Sequence, residues 1–136
     1  MVQVQNTINA TIEKVWNLWT LPEHIKNWNN VSSDWHTPYA ENDLKAGGKF
    51  KFTMARKDGS EGFDFEGIYT KIENFLLIEY QLFDNRTASV RFENKGNEVV
   101  LTETFEPETK NVENMQKQFC TSIIQNFKNY AENFKE

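Results

Sequence analysis

The segment "NVENMQKQFCTSIIQNFKNYAENF", Asn111 to Phe134, contains neither glycine nor proline. Within it Val112, Met115, Phe119, Ile123, Phe127, Tyr130 and Phe134 recur at three- and four-residue spacing, the repeat of one helix face. The spacing predicts a helix over about 111–134. Asn111 reads as its N-cap, and Glu113 lies in the first turn, where a carboxylate complements the helix dipole. So long an apolar stripe must be laid against another layer of the fold.

The only large partner available is a sheet. In "DLKAGGKFKFTMARKDGSEGFDFEG", Asp43–Gly67, the residues Phe50, Phe52 and Met54 alternate with Lys49, Lys51 and Thr53. That is the two-residue period of a strand with one apolar and one solvated face. Strands are expected at about 48–57, 61–72, 75–83, 86–94 and 97–106, with turn signals at Lys57–Gly59, Asp84–Asn85 and Asn94–Asn97. Their apolar rows are Phe63, Phe65 and Tyr69; Ile78, Tyr80 and Leu82; Val90 and Phe92; Val99, Leu101 and Phe105. No segment is long enough for the crossovers of a parallel sheet, so the strands form an antiparallel meander. Gly47 and Gly48 suit a tight bend into the first of them. "AGGKF" lacks the spacing and the following helix of a phosphate site.

Upstream, Val2, Val4 and Ile8 mark a strand over residues 2–9. Ile12, Val15, Trp16 and Trp19 share a face of a helix at about 10–19. "TLPEHIKNW" reads as a second short helix, with Thr20 and Glu23 at capping-box spacing and Pro22 in the first turn. A short strand is expected near Trp35–Tyr39. The fold class is therefore α+β, a curved antiparallel sheet of six to seven strands wrapped around a long C-terminal helix, with two short helices after the first strand. Residues 1–136 are expected to form one domain.

Aromatic residues make up 14% of the chain, including 11 Phe and four Trp, and so many rings require a large shared interior. Five aromatic-rich rows over one narrow helix tend to leave space, so the reading favours a cavity over a solid core. The net charge is −5 and the pI about 5.1, with 15 dispersed Lys and Arg residues, which argues against nucleic acid or an anionic membrane as the partner. No apolar run approaches the roughly 20 residues that span a bilayer. "MVQVQNTINA" has neither the charged start nor the apolar core of a signal peptide. One cysteine, Cys120, permits no internal disulfide, and a cytoplasmic location is expected.

The order of elements resembles the helix-grip arrangement of the START-like (SRPBCC) superfamily. Within it the chain resembles the family named for the activator of heat-shock protein 90 ATPase. The matching segments are "KVWNLWTLPEHIKNWN" (Lys14–Asn29), "DWH" (Asp34–His36), "ENDLKAGGKFKF" (Glu41–Phe52), "GFDFEG" (Gly62–Gly67), "LTETFEPE" (Leu101–Glu108), "ENMQ", and "NFKNYAE" (Asn126–Glu132). They run through nearly the whole chain in order. Where such relatives usually carry "GW" early in the last helix, this chain has Phe119–Cys120, and the added bulk implies a narrower cavity at that end. The fold serves carriers, cyclases and co-chaperones alike, so the resemblance specifies fold more than function.

Two histidines, His24 and His36, lie in no metal-ligand spacing, and neither a metal nor a cofactor is expected. His24 reads as solvent-exposed. His36, beside Trp35 and near Tyr39, borders an irregular segment that suits a cavity mouth. Asp64 and Glu66 alternate with Phe63 and Phe65 and therefore face solvent. Glu103 shares the parity of Val99, Leu101 and Phe105, which turns it inward unless a bulge intervenes. An inward carboxylate needs a partner, and His36, Arg56 and Arg91 are the candidates. Cys120 reads as an inert, partly buried thiol.

The expected function is binding of a small hydrophobic or aromatic molecule, lipid- or polyketide-like, between the sheet and the last helix. Its walls are expected to be Trp16, Trp19, Trp28, Trp35, Phe50, Phe52, Phe65 and Tyr80, together with Phe92, Phe119, Ile123 and Phe127. His36, Tyr39 and Glu103 would supply polar contacts. One alternative is a cyclase- or hydrolase-like enzyme in which Glu103 and His36 move a proton. Another is a stress-related co-chaperone. The eukaryotic co-chaperone carries a further N-terminal domain, so a chaperone partner is not expected. A homodimer stays open.

Overall fold

The structure is a computed structural model and describes residues 1–135. In chain order it comprises β1 (Val2–Ile8), α1 (Ile12–Thr20), α2 (Pro22–Trp28), β2 (Trp35–Asn42), β3 (Lys49–Arg56), β4 (Gly62–Glu73), β5 (Leu77–Leu82), β6 (Thr87–Asn94), β7 (Val99–Phe105) and α3 (Glu113–Asn133). The strands form one seven-stranded antiparallel sheet in the order β1-β7-β6-β5-β4-β3-β2. It curls into a half-barrel that holds α3 in its concavity. The expected fold class is the one observed. The strand near Trp35 is longer than its sequence signal, because Tyr39–Asn42 continue the pairing with Phe50–Thr53 beyond an irregularity after His36.

Register lines up the inner face. Ile78 lies opposite Val90, Tyr80 opposite Ala88, Phe92 opposite Leu101, and Val4 opposite Glu103. The densest part of the core lies where α1, α2 and the second half of α3 meet this face. Trp19 and Trp28 stack with centroids 4.6 Å apart, and Phe127 meets both edge-on at 4.9 and 5.0 Å. Trp16 packs edge-on against Phe92 at 5.1 Å.

The face that α3 buries differs from the expected stripe. Cys120, Ile124, Phe127 and Ala131 are buried, while Val112 and Met115 are 63% and 61% exposed. Only Phe127 is shared between the two sets. Cys120 meets Glu103 of the sheet through its thiol and Ala131 is fully buried in the core, while the larger Phe119 and Ile123 line the cavity. Asn111 is not the N-cap. Val112 holds that position without a side-chain hydrogen bond, and the Asn111 amide instead donates to Glu108. The capping box at α2 is also absent. Thr20 ends α1, its hydroxyl donating to the Trp16 carbonyl at 2.8 Å, and Leu21 precedes α2 without a side-chain cap.

Polar clamps fasten the second half of α3 to β1 and the segment after it. Lys128 Nζ donates to the Thr7 carbonyl at 2.6 Å and pairs with Glu132 at 2.6 Å. Glu132 in turn accepts from the Asn9 N–H at 2.8 Å. No described helix is long and apolar enough to cross a membrane.

The glycine pair makes the bend before β3, and its two members do different work. Gly47 has φ +84°, while a Cβ on Gly48 would stand 2.0 Å from the Asp43 carbonyl oxygen. Their backbone is tied to β4, Gly47 N–H donating to Tyr69 at 2.8 Å and Tyr69 N–H to Gly48 at 2.9 Å. Gly59, with φ +79° and open space around it, is a matched control for conformation alone. Gly59→Ala should cost about 1–2 kcal/mol in urea unfolding. Gly48→Ala should cost distinctly more, because backbone must shift. Equal losses would contradict the close-approach reading.

Candidate functional site

Between the inner face of the sheet and the first half of α3 lies a cavity of about 890 Å³. That is within the roughly 300–1,000 Å³ typical of small-molecule sites. It runs from Trp19, Ile25, Trp28 and Asn29 at the helix-covered end to Phe63, Met115 and Phe119 at the open end. Phe50, Phe65, Tyr69 and Tyr80 form a ring cluster along its floor, Phe50 lying 5.1–5.7 Å from the other three. Gly67 explains how these rings fit. A Cβ there would stand 3.0 Å from the Phe50 ring and 2.5 Å from the Gln81 carbonyl oxygen.

Of the expected wall residues, Trp19, Trp28, Phe50, Phe52, Phe65, Tyr80, Glu103, Phe119 and Ile123 line the cavity. Six others do not. Trp16, Phe92 and Phe127 are consumed by the core. Trp35, His36 and Tyr39 belong to β2, the edge strand farthest along the sheet from β1. The Trp35 ring lies 5.2 Å from the Arg56 guanidinium, and the exposed Tyr39 hydroxyl donates to Glu41. His24 corrects a second expectation: it is half-buried, its Nδ1 2.7 Å from the Tyr130 hydroxyl and its ring edge-on to Phe134.

Glu103 faces inward, as its strand parity indicates. None of its anticipated partners reaches it: His36 is on β2, Arg56 pairs with Glu61 at 2.7 Å, and Arg91 is on the opposite face of β6 from Val90. The Cys120 thiol donates to Glu103 Oε2 at 2.6 Å instead, and the Tyr80 phenol also acts on the carboxylate. Protein encloses Glu103, whose residual exposure is to the cavity it lines. Burial raises its pKa above the ordinary glutamate value, and the Cys120 hydrogen bond and the neighbouring Tyr80 phenol oppose that rise only in part. The same burial drives Cys120 and Tyr80 upward, Glu103 adding to both shifts. Cys120 is thus a neutral donor and a poor nucleophile. Tyr69 donates to Asn42, whose amide donates to the Thr20 carbonyl at 2.7 Å, closing the wall between β4, β2 and α1.

Sequence reasoning missed Met54, Ile78, Leu82 and Ala88 as wall residues, although alternation put the first three on the inner face. It also missed the Glu103–Cys120 contact, which only the docking of α3 creates. Among the described residues no cluster of three or more His, Cys, Asp or Glu is arranged to hold a metal.

With this geometry in view, comparison with known proteins settles the family. A family profile described as Activator of Hsp90 ATPase homolog 1-like protein matches residues 9–136. The chain belongs to that family. A Cytophaga hutchinsonii protein solved in solution is 44% identical, with TM-score 0.83 over 97% of this chain and 92% of that one. An AHSA1-like protein from Aeromonas hydrophila is 35% identical, with TM-score 0.87 over 99% of both chains. The Aha1 dimer from Colwellia psychrerythraea shares the fold at 18% identity, with TM-score 0.71 over the full length of both. No curated protein matches.

The raised Glu103 pKa has a consequence for stability. Between the ordinary glutamate value and the raised one, the folded protein binds the proton that the unfolded chain has released. Stability from this group is therefore retained at low pH and lost as pH climbs through that window. Glu103→Gln removes the penalty and keeps an oxygen for the Cys120 thiol. Its melting temperature relative to the wild type should rise with pH and then level off. A difference independent of pH would contradict the assignment.

Proposed function

We propose that the protein is a cytoplasmic single-domain binder of a small, mainly apolar or aromatic molecule held between the sheet and the first half of α3. The observation that carries this reading is the 890 Å³ hollow, walled by rings and aliphatic side chains in an interior that α3 covers only in part. Each 100 Å² of ligand apolar surface removed from water is worth about 2.5 kcal/mol. A few hundred Å² therefore suffice to offset the loss of ligand freedom on binding. Trp19, Phe50, Phe65, Tyr80 and Ile123 would supply apolar contact, and Glu103 would orient the molecule.

Carriage is favoured over catalysis because the acid–base partner expected for Glu103, His36, is distant from the cavity. Cys120 and Tyr80, which do lie beside Glu103, are both held neutral by burial. A co-chaperone role would rest on an outer surface, and no feature of the cavity calls for it.

Titration with the neutral fluorophore N-phenyl-1-naphthylamine tests the reading. A saturable 1:1 rise in its emission is expected with Kd below about 100 μM, near −5.5 kcal/mol. Quenching of Trp19 and Trp28 should accompany it. Absence of saturation over that range would overturn the proposal.

A further inference from the structure

The charges around the hollow narrow the class of molecule it takes. The charged residues lining it are Glu61, Asp64, Glu103, Glu106 and Glu108 against a single cation, Arg86. Arg86 Nε is already paired with Asp84 at 2.6 Å. Glu61, Asp64 and Glu106 are likewise engaged, by Arg56, Thr53 and Thr87 respectively. Glu103 is enclosed by protein and, like Glu106 and Glu108, has no ion-pair partner among the described residues. From α3 it meets Cys120 and from β5 Tyr80, neither of which carries a positive charge. The residues opposite it on β1 and β6 are Val4 and Val90. An enclosed carboxylate without a counter-ion is unfavourable in its ionised form.

We propose that the cavity takes an apolar or aromatic molecule bearing one amine, whose ammonium group pairs with the Glu103 carboxylate. This rests on the ligand-binding reading above and specifies the ligand's polar end. An ammonium supplies the missing counter-ion. An alcohol brings no charge to offset the enclosed carboxylate, and a fatty-acid carboxylate adds a like charge to an already acidic wall. The Tyr80 ring, with Phe65 and Phe50 centred 6.1 and 5.2 Å from it, adds π faces that favour a cation further. Seating an ammonium favours the ionised carboxylate, so any proton held by Glu103 is released to solvent and the pair forms more readily as pH rises. Burial keeps Cys120, Tyr80 and Tyr69 neutral over the same range.

Dodecylamine, dodecanol and dodecanoate share one tail and differ in the head group. Below their micelle concentrations at pH 7.5, each is titrated against bound N-phenyl-1-naphthylamine on wild type and on Glu103→Gln. On wild type, dodecylamine should displace the probe at concentrations at least about tenfold below dodecanoate, a gap of about 1.4 kcal/mol. Glu103→Gln should erase most of the amine's advantage over dodecanol. Dodecanoate binding as well as the amine, or an amine preference that survives Glu103→Gln, overturns the proposal. If Glu103→Gln does not fold, the wild-type pH profile decides. Amine affinity that rises between pH 5 and 8 relative to dodecanol supports the pair, and a flat ratio overturns it. Saturable probe binding without amine preference defeats this inference alone, whereas no probe binding defeats the ligand-binding reading itself.

Discussion

Everything in this fold follows from how far along its length α3 can be packed against the sheet. Around Ile124, Phe127 and Ala131 the helix is sealed by α1, α2 and the inner rows of the sheet. The Lys128–Glu132 clamp fixes it to β1 and the residues that follow. Towards its start, the curl of the sheet carries β3, β4 and β5 away from the helix, and Phe119 and Ile123 face the hollow. A fully collapsed interior would have to bring the rings of Phe50, Phe65 and Tyr80 onto the helix surface. The seven-stranded antiparallel pairing holds them back.

The same asymmetry accounts for the electrostatics. Glu103 is on the second strand from one edge of the sheet, opposite Val4 and Val90, where the hollow meets the first buried turn of α3. Two residues further into the packed half, the inward position is held by the fully buried Leu101. Beyond the mouth a carboxylate would be solvated. At its actual position Glu103 is dry enough for its pKa to rise, yet open to whatever occupies the cavity. Cys120 is the residue that α3 brings to it, and the thiol is small enough to let helix and sheet approach. The bulk anticipated from Phe119–Cys120 is thereby divided: Cys120 points to the sheet, and Phe119 is 38% exposed at the open end.

Period and parity made much of this legible in the sequence. Alternation at Phe50–Met54 and Val99–Phe105 identified inner faces correctly, and it turned Glu103 inward. The apolar spacing of the last segment identified the helix but misjudged its buried face, because Cys120 and Ala131 carry little hydrophobic weight while exposed Val112 and Met115 carry much. The cavity wall was legible only in part. Trp16, Phe92 and Phe127 are as aromatic as Trp19 and Phe65, and nothing local to the chain tells a ring that fills the core from one that borders a void. Trp35, His36 and Tyr39 are near the cavity residues in sequence but belong to the outermost strand, whose position is set by the order of pairing. The Glu103–Cys120 contact spans 17 residues and arises from the docking of α3, so no motif announces it.

The central claim is that the interior is hollow and takes up a molecule there. An NMR titration of uniformly labelled protein with N-phenyl-1-naphthylamine tests it most directly, since amide, methyl and ring signals report each wall separately. The account predicts saturating shifts concentrated at Phe50, Phe65, Tyr80, Glu103, Cys120 and Ile123, with Trp35, His36 and Tyr39 unmoved. Shifts confined to the outer face of the sheet, or spread evenly without saturation, would contradict it.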